Sequence, residues 1–199
     1  MDYVMNIIPQ MLDGCLGSFQ VFIITIVLSI PLGVLLSLGR VSGIKPLQAL
    51  IGCYVWILRG TPLMLQIFFE SAIVAFVLNY AAYFCEIFRA GIQAIPQGQY
   101  EAAHTLGMNY VQTMRRIILP QVVRIILPPI SNETITLVKD TSLVYVLAMN
   151  DLMRTARNLV QRDFSITPFI VAAVFYLVAT LILTVVFEKL EKRFSKYDA

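Results

Sequence analysis

The stretch Glu101–Pro120, EAAHTLGMNYVQTMRRIILP, is the longest interruption in a sequence that otherwise consists of membrane-grade apolar runs. Glu101, Ala102, Ala103 and Leu106 fall at helical spacings, and Gly107 divides the stretch because glycine tolerates the left-handed conformation of a helix stop. Asn109 can cap the piece that follows. Pro120 marks the start of the next apolar run. A charged, alanine-rich helix between two membrane spans is expected to lie at the membrane surface and to offer one face to something outside the bilayer.

Composition explains why that stretch stands out. Of 199 residues, 58% are hydrophobic and 14% charged, with a mean hydropathy of +0.77. A typical soluble chain carries roughly a quarter of its residues as charges, so the sequence reads as an integral membrane protein. A span needs roughly 20 apolar residues, and the length therefore allows about five spans and no separate soluble domain. The expected fold is an all-α membrane protein with a cytoplasmic helix between spans three and four. The spans are expected near 15–38, 47–69, 72–92, 122–149 and 166–187, with a cytoplasmic loop at 96–121. Residues 1–14 read as a short amphipathic lead-in, without the basic start of a cleaved signal. The net charge of +3 gives no reason to expect a nucleic-acid partner.

Positive charge sets the expected orientation. With the N-terminus outside, Arg40, Lys45, Arg115, Arg116, Arg124, Lys189, Lys192, Arg193 and Lys196 lie inside, against Arg154, Arg157 and Arg162 outside. That distribution favours an external N-terminus, an internal C-terminus and a cytoplasmic Glu101 stretch.

Three helix interruptions are expected. Arg59-Gly60-Thr61-Pro62 should break the second span at membrane depth, which is tolerated where protein or a wet cavity satisfies the freed backbone groups. Pro128-Pro129 should interrupt the fourth. Glu70-Ser71 is a poor turn between spans two and three, so either span two ends early or an external loop is absent there; the second reading is preferred.

The chemistry that the chain can carry is limited. It has no GxxxxGK[ST] phosphate loop, no HExxH and no GxSxG, so ATP chemistry is not expected on this chain. Cys15, Cys53 and Cys85 lack metal-like spacing and read as packing residues, and the single histidine, His104, reads as solvated. Polar groups inside the spans are the positive finding. Asn79, Tyr83 and Glu86 share one helical face, and Arg89 can pair with Glu86. Asn132, Thr136 and Lys139 repeat that spacing, with Glu133 and Asp140 on the adjoining face. Ionisable groups in a bilayer should face a shared interior. Asn79, Glu86, Asn132, Glu133, Lys139 and Asp140 are therefore candidates for a path taken by a zwitterionic solute, or else for a structural ion-pair network.

The opening stretch resembles the EAA signature of permease subunits of binding-protein-dependent ABC importers: E-A-A, three residues, G, nine residues, I-x-L-P. Glu101, Ala102, Ala103, Gly107, Ile117, Leu119 and Pro120 match it. The stretches at 59–69, 86–99, 131–144 and 151–157 are similar to the polar-amino-acid branch. The resemblance implies a coupling helix that docks on a separate ATPase through Glu101, Ala102, Ala103, Leu106 and Gly107. It also implies two ATP-binding cassette subunits carrying ATP and Mg, a second permease (the same chain or a paralogue) and an extracytoplasmic solute-binding protein. No cofactor is expected on this chain. The expected location is the inner membrane, and the expected cargo a polar amino acid. Two departures stand out: relatives usually carry an external segment where Glu70 meets Ser71, and Cys85 replaces a small alanine. An ATP-independent channel or secondary carrier, or a membrane sensor that transports nothing, would use the same polar spans without the cytoplasmic partner.

Overall fold

A computed structural model describes residues 2–195. The described residues are helical with short connections: α1 Asp2–Val41, α2 Lys45–Gly60, α3 Leu63–Phe69, α4 Ala72–Gln93, α5 Gln97–Thr105, α6 Tyr110–Thr113, α7 Leu119–Asp140, α8 Leu152–Asp163 and α9 Thr167–Ser195. A π-helical segment, Met114–Ile118, leads into α7, and a 3-10 helix, Thr141–Leu147, follows it. By length and composition α1, α4 and α9 can each cross a membrane. The pair α2–α3, bent by 107°, makes a fourth candidate. Helix α7 has 22 residues but carries Arg124, Glu133, Lys139 and Asp140.

The centre of the bundle is α4. Its Phe76, Tyr80 and Phe84 are fully or almost fully buried, together with Ala72, Ala75, Ala81 and Ala82. Small side chains let a neighbouring backbone come close where lipid supplies no hydrophobic drive. The neighbour is α1: a Cβ at Gly33 would collide with Phe84, so glycine there sets the helix separation. Val21 of α1 and Ile67 of α3 complete the cluster around Phe76 and Tyr80.

At one end of the bundle lie the 42–44 connection, α5 and α6. At the other lie the N-terminal part of α1, α8 and the Glu70–Ser71 turn. Helix α1 reaches both ends, since 40 residues at 1.5 Å each span about 60 Å, roughly twice the hydrocarbon thickness.

The helix boundaries differ from expectation in two places. Residues 2–14 are the first turns of α1 rather than a separate lead-in, with Pro9 inside the helix. Burying Ile7 and Met11 against Leu152, Ala156 and Leu159 outweighs the backbone bond that one proline removes. The Pro128-Pro129 pair does not interrupt α7. The helix is held on both sides of the prolines, by Val122 and Ile126 against Ile95 and by Leu137 in the central cluster. The chain also turns at Glu70 and Ser71 with both residues extended, at φ −136°, ψ 170° and φ −65°, ψ 143°. Helix α3 ends at Phe69, seven residues long, and α4 begins at Ala72.

Candidate functional site: coupling surface and polar path

The 96–121 connection is built by local rules. Pro96 precedes α5, and Thr105 Oγ1 donates to the Glu101 carbonyl at 2.9 Å. The helix ends in a Schellman motif: Met108 N–H donates to Ala103 O and Gly107 N–H to His104 O, at 3.1 and 2.9 Å. Gly107 has φ +73°, the left-handed stop expected from its place in the sequence. Asn109 then caps α6 through a capping box with Gln112, at 2.9 and 3.0 Å. Ile118, Val122 and Ile126 pack against Ile95 and anchor this end of α7 beside α4.

Of the five residues singled out in this stretch, Glu101, Ala102, Leu106 and Gly107 are exposed, with Leu106 77% accessible. Ala103 is fully buried and faces the protein interior instead. Tyr110 (74%) and Val111 (69%) join the open surface. Sequence reasoning passed over these two, although bulky apolar residues directly after a capping asparagine in a charged connection are the signal for them.

The break between α2 and α3 is held by side chains. Thr61 Oγ1 donates to Ile57 O at 2.8 Å, and Gln66 Nε2 donates to Leu58 O at 2.9 Å. Asn79 Nδ2, from α4, donates to Leu58 O and to Gln66 Oε1 at 2.8 and 3.0 Å. The carbonyls freed by the missing Pro62 N–H and the bend are thus satisfied by side-chain donors, a hydroxyl at Ile57 and two amides at Leu58. Arg59 projects over the Tyr83 ring at 4.9 Å. Asn79→Leu removes the donor that α4 supplies, and is expected to destabilise the protein by about 1–3 kcal/mol. A lowered thermal unfolding midpoint in detergent checks this; an unchanged midpoint would mean that the amide does not secure the break.

The six candidate path residues do not form one cluster. Glu86 accepts a bidentate pair of bonds from Arg89, with Nη2–Oε2 at 2.6 Å, and lies 3.5 Å from Arg40 Nη2. Arg40 also donates to Gln48 O at 3.1 Å, so this guanidinium ties α1 to α2 and to the Glu86 carboxylate of α4. Asp140 accepts from the buried Tyr80 hydroxyl at 2.7 Å. Glu133 is half-buried on α7. Asn132 and Lys139 are exposed on α7. Arg40, Gln66 and Tyr80 had not been singled out. Gln66 was legible as the one amide in LMLQIFF, but Arg40 and Tyr80 gave no local signal. Among the described residues, no group of three His, Cys, Asp or Glu side chains could hold a metal ion.

The described residues thus form a helical bundle of membrane-protein character, with a broken apolar helix, polar groups within its helices and an exposed, capped helical turn at one end. The chain belongs to the family described as binding-protein-dependent transport system inner membrane component, which it matches over residues 10–196. It is 35% identical to the L-cystine transport system permease protein TcyB of Bacillus subtilis, covering 96% of this chain and 89% of that one. It is 36% identical to the arginine transport system permease protein ArtQ of the same organism, covering 96% and 95%. A solved structure titled as an amino acid ABC transporter with histidines superposes with a TM-score of 0.88 at 30% identity, over 96% of this chain and 97% of that one. An inward-facing structure of the MetNI methionine ABC transporter shares the fold, with a TM-score of 0.77 at 16% identity over 94% and 95% of the two chains. The protein is thus a multi-pass permease component of the inner membrane.

Proposed function

We propose that this chain is the permease subunit of an ATP-driven importer for a polar amino acid, and that it is coupled to a separate ATPase through residues 101–120. Five helical units cross the membrane: α1, the broken α2–α3, α4, α7 and α9. The excess of basic residues at the α5 end supports a cytoplasmic location for that end and an external N-terminus. Of the residues in that count, Lys196 lies outside the described residues. The proposed assembly pairs this permease with a second one, the same chain or a paralogue, and with two ATP-binding cassette subunits that handle ATP and Mg. An extracytoplasmic binding protein delivers the solute.

The exposure of Glu101, Ala102, Leu106 and Gly107 at one end of the bundle carries this reading. A shallow surface with one projecting leucine beside a sharp glycine turn suits a groove on a partner. The resemblance to permeases named for cystine and arginine supports an amino-acid cargo. Glu133, Asp140, Asn132 and Lys139 on α7, with Arg59 and Asn79 beside the helix break, supply both signs of charge to match a zwitterion. Glu86 remains a candidate for this path, although Arg40 and Arg89 already occupy its carboxylate.

Glu101→Lys places the opposite charge on the proposed docking surface. It is expected to lower uptake of labelled amino acids by more than about tenfold, since a like-charge contact at an interface costs several kcal/mol. Ligand binding by the solute-binding protein stays intact. Full uptake by the variant, with or without the ATPase, would instead favour an ATP-independent carrier.

A further inference from the structure

Helices α7 and α9 leave a cavity of about 360 Å³ between them, at the end of the bundle that carries α5 and α6. Its volume falls in the range of about 300–1,000 Å³ common to small-molecule sites. The lining is of two kinds. Leu127 of α7 and Phe194 of α9 supply apolar walls, while Arg124 of α7 joins Glu188, Glu191 and Lys192 of α9 to supply charges of both signs. The sequence of α9 places these charges at the edge of the membrane. Residues 167–187 carry no charged side chain, and Glu188 is the first charge after that run. At 1.5 Å per residue the run spans about 30 Å, the hydrocarbon thickness of a bilayer. Glu188, Glu191 and Lys192 therefore stand at headgroup level.

The two carboxylates decide what fits. Glu188 and Glu191, three residues apart, are neighbours on the helix surface, where like charges repel. Neither is in an ion pair among the described residues. A cation that donates hydrogen bonds to both would relieve the repulsion. A purely anionic headgroup would meet the pair unfavourably, and a quaternary ammonium has no N–H to give it. Basic pockets between spans at a membrane face hold the phosphates of lipid headgroups, and Arg124 and Lys192 supply that half here.

We infer that the cavity between α7 and α9 binds the phosphoethanolamine headgroup of a membrane phospholipid. The ammonium donates to Glu188 and Glu191, and the phosphate accepts from Arg124 and Lys192. Leu127 and Phe194 cover the glycerol and the first acyl carbons, which a water-soluble zwitterion lacks. The inference needs α9 to cross the membrane, but it does not depend on which face this end occupies or on what the permease carries.

The test is native mass spectrometry of the full-length protein in detergent, offered equal amounts of phosphatidylethanolamine, phosphatidylcholine and phosphatidylglycerol with distinguishable acyl masses. Phosphatidylethanolamine is expected to be retained about tenfold more than phosphatidylcholine, which keeps the phosphate but has no N–H to donate. Glu188→Gln combined with Glu191→Gln brings that ratio to within about twofold of one, whereas Lys192→Gln lowers retention of both lipids together. Glu188→Gln alone, at an exposed position, gives an intermediate ratio and decides the matter if the double variant aggregates on size exclusion. A photoactivatable phosphatidylethanolamine is expected to crosslink to peptides containing Leu127 or Phe194. Equal retention of the two zwitterionic lipids by the parent, or a ratio unmoved by the glutamate variants, would overturn the inference. So would a preference for phosphatidylglycerol, which would assign the cavity to an anionic headgroup held by its cations. Crosslinks confined to other peptides would place the retained lipid elsewhere and remove the site.

Discussion

Gly107→Val is expected to cut uptake by more than about tenfold, because a β-branched residue in the left-handed region carries a strain of roughly 1–2 kcal/mol that the turn can relieve only by moving. The Schellman bonds from Met108 and Gly107 fix the angle between α5 and the capped α6, so a shifted turn displaces Leu106 relative to Tyr110. A Cβ at Gly107 would meet nothing within 4 Å inside the protein, so the effect is conformational and not a clash within the chain. A graded series separates the backbone requirement from bulk on the docking surface. Asparagine tolerates the left-handed conformation better than alanine. Uptake in the order Gly, Asn, Ala, Val means that the turn conformation matters. The order Gly, Ala, Asn, Val means that surface room matters, and would remove the backbone argument.

Glu86→Gln is expected to lower the stability of the protein by about 2–3 kcal/mol. Breaking a buried ion pair costs about 3–5 kcal/mol, and partial exposure of this cluster reduces that figure. Glu86 is 16% exposed, Arg40 25% and Arg89 26%. Removing the carboxylate charge leaves two guanidinium groups facing one another with no counter-charge between them. Three helices share that anchor, so the unfolding midpoint in detergent falls and uptake falls with it. A solute-binding role gives a different pattern: a changed substrate preference with the midpoint held. That result would return Glu86 to the path and remove it from the latch.

These two residues also show how far the sequence could be read. Gly107 was legible because a helix stop is a local event, written in Leu106-Gly107-Met108-Asn109 without reference to the rest of the fold. The break at Arg59–Pro62 was legible for the same reason. Glu86 was legible only in part: its spacing predicted Arg89 as a partner, but Arg40 arrives from a helix 46 residues away. Asn79 carried the same ambiguity. Its amide was placed among solute-facing groups, whereas it donates to the carbonyl of Leu58 across the helix break. Pro9 and Pro128-Pro129 misled for the opposite reason. A proline rule describes an isolated helix, and in this fold packing of α1 on α8 and of α7 beside α4 overrides it. Ala103 could be placed on the helix but not on a face, because α5 is short and its apolar residues do not define one side.

Among the glycine notches of helix α1, Gly17 meets the backbone just before α8 and Gly33 meets α4. Sixteen residues separate the notches along one continuous helix. Each notch accepts its neighbour at a single rotational setting, and the helix between them cannot twist independently at its two ends. The two ends of the bundle are thereby phase-locked. A tilt or an axial slide of α1 can pass from one end to the other, but a rotation confined to one end cannot.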